Sequence, residues 1–349
     1  MPKPSPLSSE MVHQAASSLR APALEAPSLE APSLEPASPR GERAADERID
    51  WGKSIPFVLM HLMPLGIFYF GLTWRDVALC IALYVVRMFF ITGAYHRYFS
   101  HRSYKVGRVM QFVLAFGGAS AAQKGPLWWA SHHRVHHKYS DTDQDVHPPW
   151  KGFWWSHIGW ILCKKYEGIE HARIKDLSKY PELVWIDKYY LIAPTLLAVA
   201  CFVFGGASAL FTGFFLSTVL LYHGTFTINS LTHRFGRRRY ATTDSSKNSL
   251  ILALITLGEG WHNNHHYYQT SANQGFFWWE IDISYYTLVV LSWFGLVRDL
   301  RKPPAAVLAA NRVADRGNNA GTEAALVDTK GEPKHERSAT NHVSQPVAL

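Results

Sequence analysis

Four long apolar runs dominate the first two thirds of the chain. Residues 56–74 contain one charge-free run and residues 77–95 a second, which only Arg87 interrupts among charged residues. Residues 191–204 and 209–222 form a further pair around a Gly-Gly-Ala-Ser link. A membrane-spanning helix needs about 20 predominantly apolar residues. The pattern therefore predicts an all-α integral membrane protein with four transmembrane helices, over about 56–74, 77–95, 189–204 and 209–226.

The runs separate two large polar segments, roughly residues 96–186 and 230–349. Because two spans lie between them, both segments are predicted on one side of the membrane, where they form a helical cap. Basic residues such as Arg97, Arg102 and Arg237 flank them, so the positive-inside bias places this cap and both termini in the cytoplasm. Two weaker apolar stretches, 106–122 and 285–297, are predicted to lie at the interface.

The two ends of the chain differ from the middle. The segment Ala-Pro-Ala-Leu-Glu at 21–25 recurs almost unchanged at 26–30 and 31–35. Such sequences cannot bury enough apolar surface to fold, so residues 1–50 and 306–349 are predicted to be disordered tails around a membrane domain at 51–305. The formal net charge of +8 suits anionic headgroups, and no nucleic-acid-binding motif is present in the sequence.

The polar segments concentrate nine histidines and one asparagine in four short clusters: His96 and His101; His133, His136 and His137; Asn229 and His233; His262, His265 and His266. Two clusters repeat the i, i+3, i+4 offset of one helix face. His96 and His101 are about 140° apart on an α-helix, so a helix end or break is predicted between them. Nine imidazoles exceed the four to six ligands of one ion, which predicts a dinuclear metal site. Isolated histidines such as His13, His335 and His342 are interpreted as having no metal.

The ligand type narrows the chemistry. Soluble di-iron bundles use Glu-x-x-His pairs, whereas Glu259 is here the only glutamate with that spacing to a cluster histidine, His262. Neutral imidazoles leave the ions more positive, which favours a strongly oxidising centre. We expect Glu259 to hold an imidazole N–H rather than a metal, and Asn229 to act through a bound water.

These clusters resemble those of the membrane fatty-acyl Δ9 desaturases, the stearoyl-CoA desaturase family. The resemblance covers about residues 51–304 and rests on Gly-Ala-Tyr-His-Arg-Tyr-Phe-Ser-His-Arg at 93–102, His-Arg-x-His-His, Asn-Ser-Leu-Thr-His and Gly-Glu-Gly-Trp-His-Asn-Asn-His-His. It implies two non-haem iron ions held by the nine histidines, with Asn229 water-linked. It also implies a kinked acyl tunnel beside the metals, with wall residues at Gln123, Trp129 and Thr225.

The same resemblance bears on substrate and partners. It implies a cis double bond, at Δ9, in a long saturated acyl chain and a separate electron donor of the ferredoxin, rubredoxin or cytochrome b5 type. Animal members carry an Arg-Asp pair where this chain has Ser131-His132, and an asparagine at Lys124. The carrier therefore stays open between an acyl thioester and an acyl lipid. The Trp-His-Asn-Asn-His-His form is closer to bacterial and plant members, which suggests a bacterial inner membrane.

Two other functions fit parts of the pattern. A membrane di-iron hydroxylase of alkyl chains or sterols would use a related histidine set. A histidine-rich metal transporter would also bind metal, but its ligands should lie near the middle of the spans. The clusters here lie beyond the predicted span ends, which favours an enzyme.

Overall fold

The computed structural model describes residues 44–313, so most of both predicted tails lies outside the described residues. The described part is mostly helical. Its α-helices are α1 Trp51–Leu62, α2 Ile67–Phe70, α3 Trp74–Phe89, α4 Arg108–Ala119, α5 Pro126–Tyr139, α6 Phe153–His157, α7 Lys175–Ser178, α8 Pro181–Lys188, α9 Ile192–Ala209, α10 Ser217–Leu231, α11 Leu250–Ile255, α12 His262–Tyr267, α13 Ile283–Trp293 and α14 Ala305–Ala309.

Other helix types connect several of these elements. Two π-helices extend apolar helices, at Phe90–Ser100 and Leu210–Leu216. Short 3₁₀-helices occupy Ala45–Glu47, Met63–Gly66, Pro149–Lys151, Gly159–Leu162 and His171–Arg173. The strands β1 Lys105–Val106 and β2 Val297–Arg298 pair antiparallel, which ties the chain after the second apolar helix to the chain after α13.

Three continuous helical runs are long and apolar enough to cross a membrane: Trp51–Phe70, Trp74–Ser100 and Ile192–Leu231. The second run begins at a capping box, in which Thr73 and Asp76 bond each other's backbone N–H. The third run contains both the third and fourth predicted spans. Its Gly206 is non-helical, with φ 72° and ψ −168°, a conformation that favours glycine. The membrane character is thus confirmed, with three runs where the sequence predicts four spans.

One buried charge joins two of these runs. Arg87, 1% exposed, donates to the Thr218 hydroxyl at 2.7 Å and to the Ser217 hydroxyl at 2.5 Å. An unpaired guanidinium is costly in an apolar environment, so these hydroxyls satisfy it within the bundle. The contact fixes α3 against the beginning of α10.

The second apolar run changes from α-helix to π-helix at Phe90 and ends at Ser100. In a π-helix the hydrogen bonds run from residue i to i+5, so residues five apart come close to one face. His96 and His101 follow this spacing, with the amide of His101 donating to the carbonyl of His96 at 3.3 Å. Their rings are 4.8 Å apart. A helix end does lie between the two histidines, and the π-helix explains why they still converge.

The two weaker apolar stretches form α4 and α13, which are 12 and 11 residues long. Helices of this length do not cross an apolar layer of about 30 Å by themselves. Exposed aromatic side chains surround α13, among them Trp278, Trp293 and Phe294. Their position at an interface stays a prediction.

Candidate metal centre

The nine cluster histidines form two adjacent groups. The first group consists of His96, His101, His133, His137 and His265, and the second of His136, His233, His262 and His266. Within each group the potential ligand nitrogens all lie within 4.8 Å of one another. The two predicted helices for the triads are both present, as α5 and α12.

Each triad divides between the two groups. On α5, His133 and His137 enter the first group and His136 enters the second, while on α12 His265 enters the first group and its two neighbours enter the second. Residues four apart on a helix are about 40° apart around the axis, whereas the middle member lies about 60° to the other side. The i, i+4 pair therefore serves one group and the middle histidine serves the other.

The first group is joined by short contacts between Nε2 atoms. The Nε2 of His265 lies 2.9 Å from that of His96 and 2.9 Å from that of His137. The Nε2 atoms of His101 and His133 are 2.8 Å apart. Five imidazoles thus direct the same ring nitrogen toward a common centre.

Carboxylates hold the outer nitrogens of four candidate ligands. Glu259 contacts Nδ1 of His96 at 2.5 Å, as expected of a residue that orients an imidazole. In the second group, Asp145 contacts Nδ1 of His136 at 2.9 Å and Asp244 that of His266 at 2.6 Å. Asp141 contacts Nδ1 of His233 at 3.0 Å. An Nδ1–H bonded to a carboxylate leaves the Nε2 lone pair for a metal.

Burial keeps most of these imidazoles neutral. Burial, followed by the charge of neighbouring histidines, holds the pKa values of His133, His137 and His265 well below 6.5. The pKa of His266 falls to about 4 because burial outweighs the opposing effect of Asp244. Neutral imidazole is the form that binds metal ions, so these four histidines are in the ligating form near neutral pH.

The buried nitrogens fit a metal better than a purely structural role. Among residues 44–313, the Nε2 atoms of His136 and His266 have no hydrogen-bond partner. Their Nδ1 atoms already donate to carboxylates, so both carry inward lone pairs with no donor to meet them. Buried polar atoms normally have partners. A cation between the imidazoles would satisfy these lone pairs.

A cavity of about 320 Å³ runs beside the first group, within the usual range of small-molecule sites. All three residues of the implied tunnel wall line this cavity. Gln123 donates to the Thr225 hydroxyl at 3.1 Å, and Trp129 stacks on His133 with ring centroids 4.9 Å apart. Asn229 also lines it, as well as a smaller cavity against His96, His136 and His262. The structure therefore brings together every site residue that the sequence singles out.

Several contacts around the centre are not among the sequence predictions. The three aspartates that hold the second group were not predicted, although Asp141 and Asp145 closely follow the α5 triad. His147 is a further residue at the centre that was not predicted as part of the site. Its ring centroid lies 4.3 Å from that of His136, and His147 forms a third candidate metal-binding group with His136 and Asp145. Only a cluster of aspartates directly after the triad signals this part of the site.

A separate chain of imidazoles lies among the apolar helices. His61 contacts His223 at 3.3 Å between Nε2 atoms, and His223 contacts His157 at 3.0 Å. His157 in turn contacts the Ser230 hydroxyl at 2.9 Å. These histidines link α1, α10 and α6 outside both ligand groups.

Comparison with known proteins gives one family for most of the described residues. The family model described as "Fatty acid desaturase" matches residues 72–292. The chain is 36% identical to the sn-1 stearoyl-lipid 9-desaturase of Anabaena variabilis over 73% of this chain and 94% of that protein. It is 37% identical to the Acyl-CoA C20 Delta5-desaturase of Anemone leveillei over 66% of this chain and 75% of that protein. With the chloroplastic palmitoyl-monogalactosyldiacylglycerol delta-7 desaturase of Arabidopsis thaliana, it shares 36% identity over 74% of this chain and 70% of that protein. The chain therefore belongs to the fatty acid desaturase family, and it is an oxidoreductase that acts as an acyl desaturase.

Proposed function

We propose that this desaturase introduces a cis double bond at the Δ9 position of a long saturated acyl chain, with two iron ions held by the nine histidines. The observation that carries the proposal is the convergence of five and four imidazoles beside one acyl-sized cavity. Bound iron would supply the oxidation: the acyl chain loses two hydrogens while O₂, two electrons and two protons give two waters. Asn229 would complete the ligand set through a water.

The protein's side chains orient the imidazoles and enclose the acyl chain. The carboxylates of Glu259, Asp145 and Asp244 fix their imidazoles by accepting hydrogen bonds from the Nδ1–H groups. Trp129 covers His133, and the Gln123–Thr225 hydrogen bond closes the wall next to it. An acyl chain in the cavity would bend at this wall, which favours a cis product and keeps water from the reacting carbons.

Four spans account for the third apolar run better than three. A straight helix of 40 residues would be about 60 Å long, twice the apolar thickness of a bilayer. The non-helical backbone at Gly206 allows the chain to reverse there, so that α9 and α10 each cross once. Both ligand groups then lie on one side, and the arginines after the spans support a cytoplasmic location for it. The proposed membrane is a bacterial inner membrane.

The cations near the cavity favour an acyl lipid over acyl-CoA. Lys53 pairs with Glu167 at 2.6 Å, Lys165 with Glu47 at 2.7 Å and Lys164 with Asp50 at 3.7 Å. The pairs of Lys53 and Lys164 are exposed and that of Lys165 is partly buried, and each neutralises a lysine that could bind a CoA phosphate. Lys124, which also lines the cavity, lies 5.4 Å from the centroid of the Tyr190 ring. Relatives named as stearoyl-lipid and palmitoyl-lipid 9-desaturases are consistent with this carrier.

The test of function is lipid analysis after expression in a host that lacks monounsaturated acyl chains. Gas chromatography with mass spectrometry should show new cis-Δ9 chains, and the purified protein should contain two iron ions. His265→Ala serves as the inactive control. Hydroxylated chains without new double bonds, or full activity of protein depleted of iron, would contradict the proposal.

The carrier is tested on purified protein with a competent reductant and matched stearoyl groups on CoA, on carrier protein and in phospholipid. Phospholipid should give the fastest turnover. The matched variant Glu167→Gln releases Lys53 and should lower the KM for stearoyl-CoA. Rapid turnover of stearoyl-CoA alone by the unmodified protein would refute the acyl-lipid proposal without touching the desaturase assignment.

A further inference from the structure

The loop between α10 and α11 covers the second ligand group. Its Asp244 holds His266, and the Ser245 hydroxyl lies 3.4 Å from Nδ1 of His233. The backbone amides of Arg239 and Tyr240 both donate to the side-chain oxygen of Asn263, at 2.8 and 2.7 Å. Asn263 directly follows His262 on α12. The inner face of the loop is therefore in contact with the metal-ligand layer.

The outer face of the same loop is strongly basic. Arg234, Arg237 and Arg238 are exposed, and in the described part of the chain none of them has an acidic partner within ion-pair distance. The guanidinium of Arg234 donates to the Pro149 carbonyl, and that of Arg238 to the Thr242 carbonyl and hydroxyl. Phe235 lies between them and is 64% exposed. We call the surface formed by residues 234–238 the basic loop face.

We propose that the basic loop face docks an acidic, one-electron carrier protein that delivers electrons to the second ligand group. The inference rests on the proposed function, because desaturation consumes two electrons from outside the acyl chain. Two reduced carriers are each oxidised by one electron per turnover, and both electrons enter the reduction of O₂ to water. Unpaired arginines beside an exposed aromatic ring are typical of a surface that steers and anchors an acidic partner.

The position of the face suits this role. Arg234 directly follows His233 of the second ligand group in the sequence. A carrier that contacts Arg234 would therefore lie next to a residue of that group. The basic loop face is tied to the end of α10, where the amides of Arg234 and Phe235 donate to the Leu231 carbonyl at 2.9 and 2.8 Å. It is also tied to the ligand layer, because Arg237 and Asn248 pair through their backbones and Asn248 bonds Asn264 on α12. This second connection favours an electron-carrying partner over lipid headgroups.

The acyl cavity lies on other elements. Among residues 44–313 it is lined from α1, α5, α10 and the segment around residues 160–167, and not from the basic loop face. Carrier and acyl substrate would therefore occupy different surfaces, so both can be bound at once.

The test compares the double variant Arg237→Glu/Arg238→Glu with Arg298→Glu/Arg301→Glu. The control makes the same change in net charge at two exposed arginines near β2. The probe is an acidic [2Fe–2S] ferredoxin, and its Kd is measured against full-length protein in nanodiscs at increasing KCl. Wild-type binding should weaken with salt, the loop variant should bind at least tenfold more weakly, and the control should bind like wild type.

Iron content and thermal stability verify that both variants are folded. Equal affinity of the loop variant and wild type, or an equal loss in the control, would overturn the proposal. So would a variant that keeps its ferredoxin affinity but loses stability only in nanodiscs containing phosphatidylglycerol, since the face would then bind lipid. Product formation by wild type with dithionite tests the desaturase function separately.

Discussion

Replacing Glu259 by glutamine tests whether a carboxylate sets the metal affinity of the first group. Glu259 is 5% exposed, and its two oxygens contact Nδ1 of His96 at 2.5 Å and Nη2 of Arg97 at 3.0 Å. Opposing effects act on its pKa: burial would raise it, but His96 and Arg97 outweigh burial and lower it. The group is therefore a carboxylate in contact with two donors.

Glutamine cannot serve both donors. Its oxygen can accept from His96 or from Arg97, and its NH₂ group then faces the other donor. Arg97 keeps both bonds to Asp282, at 2.9 and 3.0 Å, so the damage falls mainly on His96. Losing a hydrogen bond to a charged group costs about 1.5–3 kcal/mol. At about 1.4 kcal/mol per factor of ten, this weakens metal binding by roughly ten- to a hundredfold.

The assay is anaerobic titration of metal-free protein with Fe²⁺ in competition with a chelator. Glu47→Gln is the matched control, because Glu47 is 4% exposed and contacts Lys151 and Lys165 but no histidine. We expect both variants to lower the Tm and only Glu259→Gln to lower iron affinity. Unchanged iron affinity in Glu259→Gln, with a Tm loss like that of the control, would refute the role of Glu259.

Three further predictions follow from the same structure. Replacement of a proposed ligand should abolish activity and iron binding but not membrane insertion, in His133→Ala, His137→Ala and His265→Ala alike. The control His61→Ala should retain appreciable activity. Full activity of any of the three ligand variants would remove that histidine from the site. Lys151 and Lys165 outweigh burial and lower the pKa of Glu47 below 4.5, so its stabilisation is present above pH 4.5 and lost as the pH falls through the folded pKa. Thermal melts should therefore show a smaller loss of Tm on acidification in Glu47→Gln than in wild type, and parallel losses would contradict this. Because the protein fixes the distance from the carrier to the metals, double bonds should keep a constant count from the carboxyl end as acyl length varies; a constant count from the methyl end would show that the closed end of the cavity sets the position.

Hydrophobic periodicity and histidine spacing predict much of this molecule because both are local properties of a helix. The triads at 133–137 and 262–266 lie on α5 and α12 as expected, and the family assignment agrees with the desaturase interpretation rather than with a hydroxylase or a transporter. Spacing separates the i, i+4 pair of each triad from its middle histidine, but it does not assign either to a group: the pair of α5 joins the first group and the pair of α12 joins the second. That division depends on how α5 is rotated against its neighbours.

Other features depend on contacts distant in sequence or on backbone geometry. Asp244 lies 22 residues from His266, so no local pattern connects them. The π-helix at Phe90–Ser100 shows in the sequence only through the five-residue spacing of His96 and His101, which predicts a helix end or break and not a π-helix. The third apolar run is likewise predicted from the sequence as two spans. A Gly-Gly link indicates where a chain can turn, but it does not tell whether the helix ends there or continues after one non-helical residue.

The division of each triad has a consequence for how the centre fills. Both α5 and α12 contribute to both groups, so an ion in either group fixes the backbone that carries ligands of the other. Binding of the first ion would order the backbone of both helices, so binding of the second ion would lose less conformational entropy. The two binding equilibria would therefore be positively coupled. A centre built in this way favours molecules that hold two ions or none, so partial iron supply should lower the number of active enzymes rather than produce a population of half-loaded ones.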